Sequence, residues 1–166
     1  NDGHYTTAYE LAKMADYALK IDKFKEIVST KSTTINISGY PKAINNTNQL
    51  LGSIEGVYGV KTGFTNGAGR CLVSACKRNE LDIITVIIGA DTTKQRTADT
   101  IKLINYAYNN FEIVNIKEII ENEFCKWQRI NQGRIFVNKG IENNVELLLE
   151  EPPYEKMAVE KEENVE

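Results

Sequence analysis

Gly59-Val60-Lys61-Thr62-Gly63-Phe64-Thr65 is the stretch on which the fold turns. An apolar approach of Val57, Tyr58 and Val60 leads into it, and Asn66-Gly67 follows as a turn signal. Two strand-like runs come next, Cys71 to Ala75 and Leu81 to Ala90. The heptapeptide therefore reads as the end of a strand beside a tight turn. Lys61 supplies a fixed cation and Thr62 a hydroxyl. Gly63 leaves the backbone bare, so that a ligand can lie alongside the strand edge. Together they suit a small carboxylate and an extended peptide. A Lys-Thr-Gly triplet is also an ordinary solvated turn, so its surroundings decide between the two readings.

Downstream, Gly67-Ala68-Gly69 closes the turn and Arg70 to Lys77 runs back. Arg78-Asn79-Glu80 turns again into Leu81 to Ala90, a long apolar run that reads as a central strand buried on both faces. Three consecutive strands with short turns predict an antiparallel meander. Thr92 or Thr93 opens a helix to about Asn109, with Ala98, Ile101, Leu103, Ile104, Ala107 and Tyr108 as its apolar face. Upstream, Thr7 and Glu10 make a capping box, and Ala8, Leu11, Ala12, Ala15 and Leu19 share one helical face. Asp22 is placed to cap a short second helix with Phe24, Ile27 and Val28 inward. Thr33 to Ile37 reads as a strand ending at Gly39-Tyr40-Pro41, and Asn45 to Asn48 as a polar loop before Leu50-Leu51. The predicted class is α+β, an antiparallel sheet covered by helices. From Phe111 the apolar residues Phe124, Trp127, Ile130, Ile135, Val137, Val145, Leu147 and Leu149 fall in short runs between Gly and Asn. That pattern predicts a small all-β segment, with an acidic, solvated tail after Pro152-Pro153.

The composition narrows the function. With 166 residues there is room for one ordinary core and a small second unit. An apolar content of 42% is not that of a disordered chain, and a net charge of −3 with no basic stripe does not indicate a nucleic-acid partner. Cys71, Cys76 and Cys125 lack metal or disulfide spacing and read as small buried hydrophobes. His4, the only histidine, has no Ser or Cys at a telling distance and reads as a structural residue at a helix start. The chain carries no signal peptide and no transmembrane run. It reads as a fragment, because Asn1-Asp2-Gly3 leads almost directly into a helix without an initiator Met, and the acidic end has no closing element.

Several segments follow one another in a recognisable order: His4-Tyr5-Thr6-Thr7-Ala8, Ile27-Val28-Ser29-Thr30, Asn46-Thr47-Asn48-Gln49-Leu50-Leu51, Gly59 to Thr65, and Ala68-Gly69. This order resembles the second half of the transpeptidase domain of serine-type D-alanyl-D-alanine carboxypeptidases, the low-molecular-mass penicillin-binding proteins. The resemblance covers residues 1–111, a partial penicillin-binding or β-lactamase-like fold. Residues 112–166 resemble the start of the small C-terminal β domain. The family works with Ser-x-x-Lys, Ser-x-Asn and Lys-Thr-Gly motifs. By resemblance, Lys61 sits beside the nucleophile and the substrate carboxylate, and Thr62 binds the terminal carboxylate. Gly63 lets the peptide lie flat, the Phe64 N–H is one of two oxyanion donors, and Thr65 supports the turn or the carboxylate site. The implied substrate is a peptidoglycan stem peptide ending in D-Ala-D-Ala. β-Lactam antibiotics are implied ligands, and no metal or organic cofactor is implied. The implied location is secreted, or attached to the outer face of the bacterial membrane. Members often end in an amphipathic helix beyond the position of residue 166, which makes membrane association an implication too.

The first two motifs do not appear as the family has them. Ser74-Ala75-Cys76-Lys77 fits Ser-x-x-Lys, but in a strand residues three apart point to opposite faces, and it follows Lys-Thr-Gly instead of preceding it. Tyr108-Asn109-Asn110 mimics Tyr-x-Asn at a helix end, also on the wrong side of Lys-Thr-Gly. The nucleophile is therefore expected upstream of Asn1, and the chain by itself is expected to be catalytically silent. Some relatives carry an Arg where this chain has Thr47. Three rivals remain: a serine β-lactamase of the same fold, a non-catalytic peptidoglycan-binding or sporulation-type scaffold with a decayed active site, and an α+β domain whose Lys-Thr-Gly is a turn. An apolar edge left by half a catalytic domain makes oligomers an expectation.

Overall fold

A computed structural model describes residues 3–132, 147–152 and 154–161. The chain divides into two compact units, Asn1–Asn110 and Phe111–Glu166. The first holds helix α1 (Ala8–Leu19), helix α2 (Asp22–Ser29), strands β1 (Ser32–Ile37) and β2 (Tyr40–Asn45), strands β3 (Val57–Thr65), β4 (Gly69–Arg78) and β5 (Leu81–Ala90), and helix α3 (Thr93–Asn110). The chain is mixed α and β, with antiparallel strands and packed helices, as the sequence predicts.

Helix α1 starts as its capping box dictates. The Glu10 N–H donates to Thr7 Oγ1 at 3.2 Å, and the Thr7 N–H donates to the Glu10 carboxylate at 2.8 Å. That backbone bond, with those from the Thr7 and Thr6 hydroxyls, holds the Glu10 carboxyl below its ordinary range. In α2 the cap is Ile21, and Asp22 is the first helical residue, with no side-chain bond at the cap. Val28 is buried, whereas Ile27, expected inward, is exposed.

Strands β3, β4 and β5 form a sheet in that order, antiparallel throughout. The sequence pattern puts Leu81–Ala90 at the centre of the sheet. Among the described residues the structure gives that place to β4, where Leu72, Ala75 and Cys76 are at most 1% exposed, and β5 pairs with β4 alone. Ile88 and Gly89 of β5 oppose Cys71 alone, a bulge that Gly89 accommodates at φ +75°. Side chains alternate across β4. Leu72 and Cys76 join Leu50, Leu51, Val57 and Ile104 of α3 on one face, and Ala75 joins Val28 and Val60 on the other. Helix α3 turns Arg96, Thr100 and Ile104 inward at four-residue spacing, while Ala98 and Leu103, expected to face the sheet, are exposed. The Thr100 hydroxyl is satisfied within the helix, donating to the Arg96 carbonyl at 2.8 Å.

The expected strand at Thr33 to Ile37 has a partner the sequence reading does not include. Ser38 and Gly39 both take positive φ, 51° and 88°, which makes a two-residue hairpin turn, and β2 pairs with β1 from Tyr40 onward. Pro41 reads as a stop, yet it sits in a two-stranded ribbon whose residues are all exposed.

The second unit contains β6 (Phe111–Asn115), helix α4 (Ile116–Asn131) and β7 (Lys156–Glu160), with β6 and β7 antiparallel. Where the sequence pattern points to all-β material, residues 116–131 are helical. Asn115 caps the helix by accepting from the Glu118 N–H at 3.0 Å. Phe124, Trp127 and Ile130 are three residues apart, a helical spacing, and the Phe124 and Trp127 rings stack at 6.2 Å. Of the remaining strand signals, Leu147 and Leu149 belong to no strand, and Ile135, Val137 and Val145 lie outside the described residues. So does the end of the acidic tail. Of the three cysteines only Cys76 is buried; Cys71 is half-buried and Cys125 exposed.

Candidate functional site

The polar loop ahead of β3 is held on both sides of Thr47. Asn46 Nδ2 donates to the carbonyls of Val28 and Thr30, each at 3.2 Å, which ties the loop to the end of α2. Asn48, 2% exposed, donates from Nδ2 to the Gly59 carbonyl at 2.9 Å and accepts from the Leu50 N–H at 3.1 Å. The buried Ser74 hydroxyl donates to the same Gly59 carbonyl at 3.1 Å. So the start of β3 is fixed by side chains from two other segments. The approach needs glycine as well. Gly56 has φ +80°, and a Cβ there would lie 2.3 Å from the Lys77 carbonyl oxygen.

Beyond Val60 the strand emerges. Lys61 is exposed and its Nζ donates to the Thr62 carbonyl at 2.7 Å; among the described residues it has no carboxylate partner. Thr62 is half-buried, with Oγ1 2.6 Å from Thr47 Oγ1. A Cβ on Gly63 would meet only Cys71 at 3.7 Å, an ordinary contact, so the fold itself does not require glycine there. The Phe64 ring is exposed, with the Arg70 guanidinium 4.5 Å from its centroid. Thr65 Oγ1 accepts from the Ala68 N–H at 3.0 Å and so closes the turn. Alternation separates the five side-chain positions. Thr62 and Phe64 pair with Leu72 and Arg70, while Lys61, Gly63 and Thr65 pair with Val73, Cys71 and Gly69 and lie toward the other face. What the five share is β3 itself, which among the described residues pairs on one side alone, with β4.

One charged group near this end escapes the sequence reading. Arg96 is 5% exposed, and its Nε is the one buried side-chain nitrogen or oxygen without a hydrogen-bond partner among the described residues. Burial first, then the like charge of Arg70, lowers its pKa. The signal available in the sequence is its spacing of four residues from Thr100 and eight from Ile104, which puts it on the inward face of α3.

Neither mimic motif supplies a nucleophile. The Ser74 hydroxyl is 1% exposed and bonded to Gly59, whereas Lys77, three residues on in the same strand, is exposed. Tyr108 donates to the carbonyls of Cys76 and Leu81, at 2.7 and 3.2 Å, and so ties α3 to the sheet. Burial and acceptance by Cys76 hold its phenol above the ordinary range. Among the described residues no cluster of His, Cys, Asp or Glu could hold a metal ion, and no helix is long and apolar enough to cross a membrane. A cation and a hydroxyl pair thus follow one another along an edge strand, chemistry suited to a carboxylate-terminated extended chain.

The family profile described as D-alanyl-D-alanine carboxypeptidase matches residues 1–92. The D-alanyl-D-alanine carboxypeptidase DacF of Bacillus subtilis is 31% identical over 152 residues, covering 91% of this chain and 37% of that protein. The D-alanyl-D-alanine carboxypeptidase of a Streptomyces species is 33% identical over 114 residues, covering 65% of this chain and 39% of the relative. Among solved structures, the Streptomyces DD-transpeptidase matches with a TM-score of 0.62 at 32% identity, over 66% of this chain and 44% of that one. Penicillin-binding protein D2 of Listeria monocytogenes, in its ampicillin-bound form, matches with a TM-score of 0.56 at 30% identity, over 63% and 43%. The chain thus spans about two fifths of the length of these relatives.

Proposed function

Because the chain belongs to the D-alanyl-D-alanine carboxypeptidase family, we propose that the full protein removes the terminal D-alanine from peptidoglycan stem peptides through an acyl-enzyme. These 166 residues carry its substrate-binding strand. The serine nucleophile and its lysine belong to chain outside them, since the one Ser-x-x-Lys match here has its hydroxyl buried and its lysine exposed in the same strand. The serine oxygen attacks the penultimate D-alanine carbonyl, the peptide C–N bond breaks, and D-alanine leaves with the proton on its amine. Water then splits the ester and returns the serine. A β-lactam acylates the same serine.

The observation that carries this reading is the exposed Lys61 and Gly63 on either side of a half-buried Thr62 on β3, beyond a buried and cross-linked start. In this role Lys61 sits beside the nucleophile and the substrate carboxylate, and Thr62 donates to that carboxylate. Gly63 admits the peptide backbone, and the Phe64 N–H is one of two oxyanion donors. Thr65 holds the turn that ends the strand, in keeping with its bond to Ala68. The substrate places the protein outside the cytoplasmic membrane, secreted or attached to its outer face.

The test is release of D-alanine from an N-acylated peptide ending in D-Ala-D-Ala. The full-length protein should release it, and Lys61→Ala should lower kcat/KM by about a hundredfold or more. The isolated chain should release none. Release by the isolated chain, or none by the full-length protein, contradicts the reading.

A further inference from the structure

We propose that Thr47 is a positioning residue that sets the direction of the Thr62 hydroxyl, a role that rests on the carboxypeptidase reading above. Two observations carry it. First, Thr47 Oγ1 and Thr62 Oγ1 are 2.6 Å apart, within the range of a good O–H···O bond. Second, the backbone on both sides of Thr47 is anchored. Asn46 is tied to the Val28 and Thr30 carbonyls, and Asn48 to the Gly59 carbonyl and the Leu50 N–H. The Asn48 N–H also donates to Asn46 Oδ1 at 2.9 Å, closing the loop across Thr47. The Thr47 hydroxyl is thus delivered to Thr62 by a pinned loop.

A hydroxyl has one proton to donate. In the resting pair either oxygen can be the donor. A carboxylate only accepts, so when the substrate's terminus arrives the Thr62 proton must point to it. Thr62 Oγ1 can then only accept from its neighbour, and Thr47 becomes the donor. The chain Thr47 O–H···Thr62 O–H···carboxylate polarises in one sense, with each bond strengthening the next. Thr47 never touches the substrate. It acts by holding Thr62 in the donating rotamer, so its effect belongs to recognition of the terminal carboxylate.

The experiment uses the full-length protein and two substrates, an N-acylated peptide ending in D-Ala-D-Ala and the same peptide as its C-terminal amide. Thr47→Val, which removes the hydroxyl and keeps the shape, should raise KM for the acid about tenfold and leave kcat within about twofold. KM for the amide should stay within about twofold of wild type. Thr47→Ala deletes the same hydroxyl and should give the same split, while Thr47→Ser should restore the KM for the acid. Unchanged KM for the acid overturns the proposal. Equal losses on acid and amide, or failure of Thr47→Ser to rescue, overturn it too, because they mark a merely structural link. A wild-type protein that cleaves neither peptide overturns the carboxypeptidase reading itself, and the positioning role falls with it.

Discussion

Val57 to Val60 and Lys61 to Thr65 belong to one nine-residue strand, yet the first four are buried or half-buried and the last five exposed or half-buried. The Gly59 carbonyl in the first part accepts from both Asn48 and Ser74, and Val60 packs with Val28 and Ala75. The second part makes mostly local bonds, from Lys61 Nζ to the next carbonyl and from the Ala68 N–H to Thr65. The contrast separates residues the fold requires from residues it leaves available. Substitutions in the first part should cost stability, and those in the second should cost ligand binding and little else.

Gly56→Ala should break the fixed part most severely. Its Cβ would collide with the Lys77 carbonyl at a positive φ, so the junction of β3 with β4 must move. We expect a loss of about 3 kcal/mol or more in urea unfolding. Asn48→Ala should cost about 2 kcal/mol, since it removes one of the two bonds to the Gly59 carbonyl and takes the acceptor from the buried Leu50 N–H. Ser74→Ala should cost about 1 kcal/mol, because Gly59 keeps its bond from Asn48. That variant should still be acylated by benzylpenicillin at the wild-type rate, and loss of acylation without loss of fold would undo the assignment of Ser74 to structure. Gly63→Ala should change stability by no more than about 0.5 kcal/mol, because its Cβ meets only an ordinary contact. Its acylation rate should nevertheless fall about tenfold or more, because in the proposed function the ligand backbone lies where the methyl is added. If Gly63→Ala unfolds the protein and spares acylation, the division of β3 is wrong.

Much of the fixed part is legible in the sequence, because short-range rules set it. Thr7 and Glu10 name their helix start, and the runs around Gly67 and Asn79 name the meander. What escapes the sequence depends on choices between faces or on residues read as stops. Pro41 hides β2, since the positive φ of Ser38 and Gly39 is visible only in the structure. Arg96 hides because a cation is not expected on an inward face, and Ala98 and Leu103 look better suited to it. Helix α4 hides although its aromatic spacing is helical, because the Gly and Asn residues beyond it suggest strands. The open end of β3 is legible as a motif, but the tie between Thr47 and Thr62 is not, since fifteen residues and a loop separate them.

On the proposed function these residues grip a ligand whose acylation happens on a serine elsewhere in the same protein. The intact mass of the full-length protein after benzylpenicillin, with the modified peptide then identified, decides it. A single adduct on a serine outside these 166 residues is expected. No adduct, or an adduct on Ser74, would contradict it.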